Sequence, residues 1–370
     1  MQKEIELYVY DLHFNKLGVI DIYEQIQCIT QYYDHSPLII DVEGNEKIAG
    51  LLLADEDRII VKSNDIHRGY YVELAEYTDE TKTSIHVEAR SLSVMTNWRI
   101  VDGQMRFKGN IEYVMQQFVK YNCITPSNPN RIIPNLVLGV DTGININADE
   151  TFVNYPLDQA LWEICKKYEV SFEILLNHEL KKYVFSVFQG EDRSAEQTIL
   201  PQVIFAKSFD NVDKQSYTDE KADFKNTAII EGAEKTLTVN NSNSGFNRRE
   251  LFVDGTSLSK TYTDENGNEI TLTDEEYTNV LTYTAFTNLS EYPRVRSFES
   301  KINVDSQNVY GVDFFIGDKI TNRNDELGIV THSRVVKATE IWNKSGYSLE
   351  LEFGTAIPNF LQKIKRGAKR

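Results

Sequence analysis

Tyr347-Ser348-Leu349-Glu350-Leu351-Glu352-Phe353 ends a segment, Val304 to Gly354, in which apolar and polar residues alternate. A period of two sets Leu349, Leu351 and Phe353 on ridges of one sheet face. Tyr310-Gly311-Val312-Asp313-Phe314 alternates in the same way. Phe315 to Ile320, Leu327-Gly328-Ile329-Val330 and Ser333 to Ile341 read as the strands between. The turn-rich Thr321-Asn322-Arg323-Asn324-Asp325-Glu326 and Asn343-Lys344-Ser345-Gly346 separate them. Strands this short at this spacing predict a compact antiparallel barrel or sandwich. Nothing in the segment reads as reaction chemistry. It points to a structural, assembly-forming chain.

Outward from that segment, residues 1–104 read as a first β-barrel. Ile5, Leu7 and Val9 alternate with Glu6, Tyr8 and Tyr10, and Leu17 to Ile20, Ser36 to Val42 and Ile48 to Leu53 follow. Glu43-Gly44-Asn45-Glu46 reads as a hairpin turn. Asp57 to Val61, Tyr70 to Tyr77 and Thr83 to Ala89 complete the set, with Ile85, Val87 and Ala89 on one face. Residues 105–195 read as an α+β module. Asn110 can cap a helix to about Tyr121, Pro156 suits the first turn of a second to about Tyr168, and Val170–Leu176 pairs with Lys182–Phe188. Residues 196–257, with Val203-Ile204-Phe205, Thr227 to Gly232 and Arg249 to Val253, join residues 295–355 as a second β-barrel. Thr273-Asp274-Glu275-Glu276 is a capping box opening a helix to about Leu289, so a helical insertion at 258–294 interrupts that barrel. The expected fold class is mainly β with an α+β module.

Composition narrows the function. A chain of 370 residues exceeds one ordinary core, and 26% charged with 41% hydrophobic residues is a folded, soluble composition. The net charge of −17 argues against a grip on nucleic acid, which needs local cation density. The exception is the tail at 356–370, where Lys363, Lys365, Arg366, Lys369 and Arg370 occur without an acid. This tail reads either as a solvated end or as a docking segment for an acidic partner surface. Cys28, Cys123 and Cys165 have no CxxC spacing, so neither a zinc site nor a disulfide framework is expected, and Cys165 reads as core. The N-terminus is no signal peptide and no apolar run is long enough to cross a bilayer. Synthesis in a reducing cytoplasm follows.

Motifs with chemical content are weak. Asp264-x-Asn266-x-Asn268 with Glu275 in the twelfth place is like a calcium loop, but Glu269 fills the place that needs glycine. A plain hairpin at Asn266-Gly267 is the better reading. Tyr-Thr-Asp-Glu recurs at Tyr77, Tyr217 and Tyr262 and reads as similar strand-to-turn chemistry. The six histidines (His13, His35, His67, His86, His178, His332) are scattered and read as surface or turn residues, with no HExxH. No GxSxG, phosphate-binding loop or GxGxxG after a strand occurs. Trp98, Trp162 and Trp342 are open to two readings, sugar stacking or core. No catalytic residue, cofactor site or metal site is expected.

At Ile5 to Asp11 followed by Phe14 to Asp21, the chain resembles tail-tip (baseplate) hub proteins of long-tailed phages, the N-terminal hub part of tail-associated-lysin-type siphophage tail proteins. The resemblance continues at Val87-Glu88-Ala89-Arg90-Ser91-Leu92 with Trp98-Arg99-Ile100-Val101. It ends at Phe315 to Ile320, Leu327-Gly328-Ile329 and Gly346 to Gly354, and so covers nearly the whole chain. It implies two related β-barrels per chain and a homotrimeric ring of pseudo-sixfold symmetry under a hexameric distal tail protein. The implied role is virion-structural: closing the tail channel, joining the distal tail protein to the tip, and opening for DNA. The tape-measure protein and further lysin or receptor-binding proteins are the other implied partners, without specific nucleic-acid binding or stable membrane insertion. Relatives with a peptidase or lysozyme extension imply that such an activity would come here from another protein. Two alternatives stay open, a receptor- or cell-wall carbohydrate-binding module of the tip and a peptidoglycan hydrolase.

Overall fold

The computed structural model describes residues 4–53, 55–79, 82–263 and 269–354. The first strand block contains β1 (Leu7–Tyr10), β2 (Lys16–Ile20), β3 (Gln25–Gln31), β4 (Pro37–Glu43), α1 (Glu46–Leu52), β5 (Ile59–Lys62), β6 (Asp65–Asp79) and β7 (Thr83–Ser91). The middle module contains β8 (Gln104–Asn110), α2 (Ile111–Val119), β9 (Leu136–Leu138), β10 (Asn147–Val153), α3 (Leu157–Tyr168), β11 (Ser171–Asn177) and β12 (Lys182–Phe188). The remainder contains β13 (Ile204–Ala206), β14 (Val212–Glu220), β15 (Thr227–Gly232), β16 (Thr236–Val239), β17 (Glu250–Gly255), β18 (Thr261–Thr263) and β19 (Glu269–Thr271). It ends with α4 (Asp274–Ser290), β20 (Val295–Ile302), β21 (Lys319–Asn324), β22 (Ile329–Asn343) and β23 (Gly346–Gly354). The chain is mainly β, as its alternation predicts.

Three local expectations are corrected. Ile48 to Leu53 is helix α1, not a strand. The Asn45 side chain accepts from the Ile48 backbone as an N-cap, and Ile48, Leu51 and Leu52 fall on one buried helical face. Tyr310 to Phe314 is a turn, not a strand. Gly311 sits at φ +81°, its N–H donates to the Phe314 carbonyl, and the Asp313 carboxylate accepts from Val309 N at 2.8 Å. Strand β21 runs on through Asn324, where turn residues were expected. Pairing with Ile329–Arg334 outweighs the local preference of Asn and Asp for turns.

A sheet of 16 strands runs through the molecule along the path β14-β20-β23-β22-β3-β4-β7-β6-β11-β12-β9. Neither strand block closes into a barrel. Residues 337–343 of β22 occupy the edge of β3 instead, so the two blocks share one open sheet.

Inside that sheet one order occurs twice. In the first block β5, β6, β7, β4 and β3 are successive antiparallel neighbours; in the second β21, β22, β23, β20 and β14 are. The chain visits them in the same sequence both times. Even the bulges correspond: β6 carries one extra residue between Val72 and Leu74 opposite Ala89/Glu88, and β22 one between Val335 and Lys337 opposite Phe353/Glu352. The blocks differ in what they insert. Tyr32–Ser36 links β3 to β4, whereas residues 221–294 stand between β14 and β20. There β16, β15 and β17 pair among themselves, off the large sheet, and pack on α4 around Ile230, Val253, Tyr277 and Leu281.

The middle module has its own core of α2, α3 and the β11–β12 hairpin, closed onto Ile59, Val61, Leu92 and Met95 of the first block. Burial pushes the Glu112 carboxyl up, but donations from Thr142, Gly143 and Ile144 outweigh it and hold it below the ordinary carboxylate range.

Candidate functional site

The place where the two strand blocks join holds a buried polar cluster between two aromatic anchors. Along it β3 and β22 pair antiparallel from Gln31↔Lys337 to Gln25↔Asn343. Each block sends an aromatic into the other's core. Trp342 of the second block is 1% exposed among Leu7, Ile26, Leu38 and Ile40 of the first. Tyr32, at the end of β3, is fully buried among Phe205, Phe314 and Phe353 of the second. Separating the blocks would expose both.

Between these anchors lies a buried ion pair. Lys62 Nζ donates to Glu340 Oε2 at 3.0 Å, with side chains 6% and 7% exposed. Tyr347 Oη donates to Glu340 Oε1 at 3.2 Å, and the ammonium stands 5.3 Å from the Trp342 ring centroid. Taking two charges out of water is costly, so the pair defines which strands meet more than it adds net stability. Beside it Cys28 Sγ and Tyr70 Oη are 3.1 Å apart. Cys28 and Tyr70 are both pushed up by burial, the thiol remaining an inert core group.

A second bracket ties the middle module to the second block. Asp318 accepts from Glu191 N at 2.8 Å, Phe315 N at 2.9 Å and Arg193 Nε at 3.1 Å. Arg334 Nη1 donates to the carbonyls of Gly317 at 2.9 Å and Gly190 at 3.2 Å. Gly317 lies at φ +88°, and a Cβ there would come within 2.3 Å of the Tyr32 ring. Only glycine fits.

One cluster has the residue types of hydrolytic catalysis. His35 Nδ1 lies 2.8 Å from Ser93 Oγ, and His35 Nε2 lies 3.4 Å from Asp158 Oδ2, which also accepts from Asn97 Nδ2 at 2.8 Å. Burial raises the Asp158 carboxyl, but the hydrogen bonds from His35 and Asn97 outweigh it and keep it low. His35 lies in the β3–β4 turn, as one of its two readings has it, but at 5% exposure it is not a surface residue. Ser93 is equally buried, and the adjoining cavity of about 40 Å³ has room for water but not for a peptide or sugar. The cluster ties the β3–β4 turn to α3. Nothing in the sequence flagged it, because its members lie 58 and 123 residues from His35.

Trp162 and Trp342 are core, and Trp98 packs edge-on against Tyr71. Cys28, Cys123 and Cys165 are free and buried. Among the described residues no three His, Cys, Asp or Glu side chains gather to hold a metal ion, and no helix is long and apolar enough to cross a membrane. Lys363, Lys365, Arg366, Lys369 and Arg370 lie outside the described residues, as do Asp264 to Asn268 of the calcium-like segment.

Residues 6–355 match the family model described as Siphovirus ReqiPepy6 Gp37-like protein. No curated protein matches the sequence. Among solved structures the chain is similar to the prophage MuSo2 43 kDa tail protein from Shewanella oneidensis (TM-score 0.56, 10% identity, covering 95% of this chain and 98% of that one). It is similar to the tail protein from Neisseria meningitidis MC58 (TM-score 0.56, 11% identity, 95% and 96% covered). A third is prophage tail protein gp18 from Listeria monocytogenes EGD-e (TM-score 0.50, 11% identity, 99% and 98% covered). At such identities the likeness is one of fold.

Proposed function

The chain belongs to the Siphovirus ReqiPepy6 Gp37-like family of siphovirus tail proteins, and on that premise we propose that it is the hub of the tail tip. In this reading three copies form a ring that closes the tail channel, joins the distal tail protein above to the tip below, and opens for DNA at infection. The observation that carries the reading is the strand order that occurs twice in one chain. Three chains would bring six such blocks around one axis, so a threefold ring meets a sixfold partner block for block.

The seam supports a mechanical role. A continuous sheet with an aromatic exchanged between cores has no hinge between the blocks, so force passes through backbone hydrogen bonds. The net charge of −17 suits a channel past which DNA slides without sticking. The role is mechanical rather than enzymatic, in keeping with the closed surroundings of His35, Ser93 and Asp158. The basic residues Lys363, Lys365, Arg366, Lys369 and Arg370 are proposed to dock the tape-measure protein or another tip component. A receptor- or carbohydrate-binding module is the weaker reading, since Trp162 and Trp342 are spent in the core.

An antibody to an epitope fused to this chain, applied to intact particles in the electron microscope, tests the placement. Label confined to the distal end of the tail is expected. Label along the tube or at the head would contradict it.

A further inference from the structure

The seam inside the chain has a counterpart at its two ends that no described strand occupies. By the repeated strand order, β6 corresponds to β22 and β14 to β3. In the seam, β22 pairs β23 on one edge and β3 on the other. Residues 74–79 of β6 pair β7 on one edge, and no described strand pairs the other. Likewise β14 pairs β20 on one edge, with none described on the other. Burial follows occupancy. Cys28, Glu340 and Trp342 of the seam are buried, while Leu74 is 40%, Tyr77 65% and Tyr217 37% exposed. Open edges of this length are templates for another chain.

We infer that β14 of one copy pairs antiparallel with residues 74–79 of the next, repeating the internal seam between molecules. The inference rests on the ring reading for its copy number alone. The bulges and the shared partners fix the register. Cys28↔Glu340 in the seam maps to Tyr217↔Tyr77, and Gln31↔Lys337 maps to Glu220↔Leu74. Tyr217 lies opposite buried Phe298 and Tyr77 opposite buried Ile85, so a row Phe298–Tyr217–Tyr77–Ile85 would run across the junction on one face. It is the counterpart of the internal row Leu38–Cys28–Glu340–Leu349.

Charge selects the same register. It sets Glu76 opposite Thr218, Ala75 opposite Asp219 and Asp79 opposite Gln215, with no like charges facing. A slip of two residues one way sets Glu76 against Glu220, and the other way sets Glu73 against Asp219. Like charges directly opposite are destabilising, and a slip of one turns the aromatic row to the wrong face. The Tyr-Thr-Asp segments at Tyr77 and Tyr217 thus acquire a shared role: antiparallel, they bring tyrosine to tyrosine and carry Asp79 and Asp219 apart.

The test is a full-length chain with Tyr77→Cys and Tyr217→Cys, oxidised after assembly and run on a non-reducing gel. Both positions are exposed, and the native cysteines are buried and do not compete. Directly opposed strand residues fall within disulfide reach. Expected are bands of two and three linked chains that collapse on reduction, with neither single variant forming them. Tyr77→Asp, which puts a charge into the row, is expected to raise the concentration for half-assembly at least tenfold. Linked ladders running far beyond three chains would support the pairing and contradict the trimer. A trimer by mass without cross-linking, or with Tyr77→Cys linking to Asp219→Cys instead, would overturn the pairing and leave the hub reading standing. A chain that stays single and unlinked at high concentration would overturn both.

Discussion

Lys62 and Glu340 are 278 residues apart in the chain and 3.0 Å apart in the fold. Removing one partner strands the other charge out of water, so Lys62→Met is expected to cost about 3–5 kcal/mol. Lys62→Met with Glu340→Leu is expected to recover most of that loss, since the surroundings of Trp342 accept an apolar pair. Urea denaturation of the two single variants and the double variant measures the coupling, and simple additivity would contradict it. Residues whose role is set by near neighbours were legible in the sequence. Ile85, Val87 and Ala89 are buried on one face as their alternation predicts, and Asn110 caps α2 through Glu112 N. His35, Ser93, Asp158, Lys62 and Glu340 were not legible, because each acquires its role from a partner that only the tertiary fold supplies.

At the scale of elements, the strongest local grammar held. The capping box at Thr273 and Glu276 is made in both directions and opens α4 where the sequence placed it. Thr273→Ala is expected to cost about 1 kcal/mol. The loss should appear as faster hydrogen exchange within 274–290 and leave β22 and β23 unchanged, because the insertion has its own core. Equal loss of protection in the large sheet would contradict that independence. Where the grammar failed, pairing or capping had overridden it. Val212–Glu220 is polar and shows little alternation, and it is a strand because β20 lies beside it. Ile48–Leu52 is a short apolar run that periodicity alone cannot tell from a strand, and Asn45 starts a helix there. Strands β8 and β10 escaped notice because they are mixed in composition, and they pair with each other off the large sheet.

At the scale of the molecule, alternation announced two strand-rich blocks around an α+β module, but not which strand meets which. That β22, while paired with β23 on one edge, takes β3 on the other depends on a register choice between segments about 300 residues apart. Local pattern carries no information on it. The expected closed barrels gave way to one shared sheet for this reason. On the proposed reading the ring follows from repetition: the same strand order occurs twice along the sheet, and a junction used once within the chain and once between chains would close after a fixed number of copies. Light scattering across a concentration series of the purified chain tests that most directly. The account predicts a mass converging on three times the 42.6 kDa of one chain. A mass that stays at one chain, or settles on any other number of copies, would contradict it.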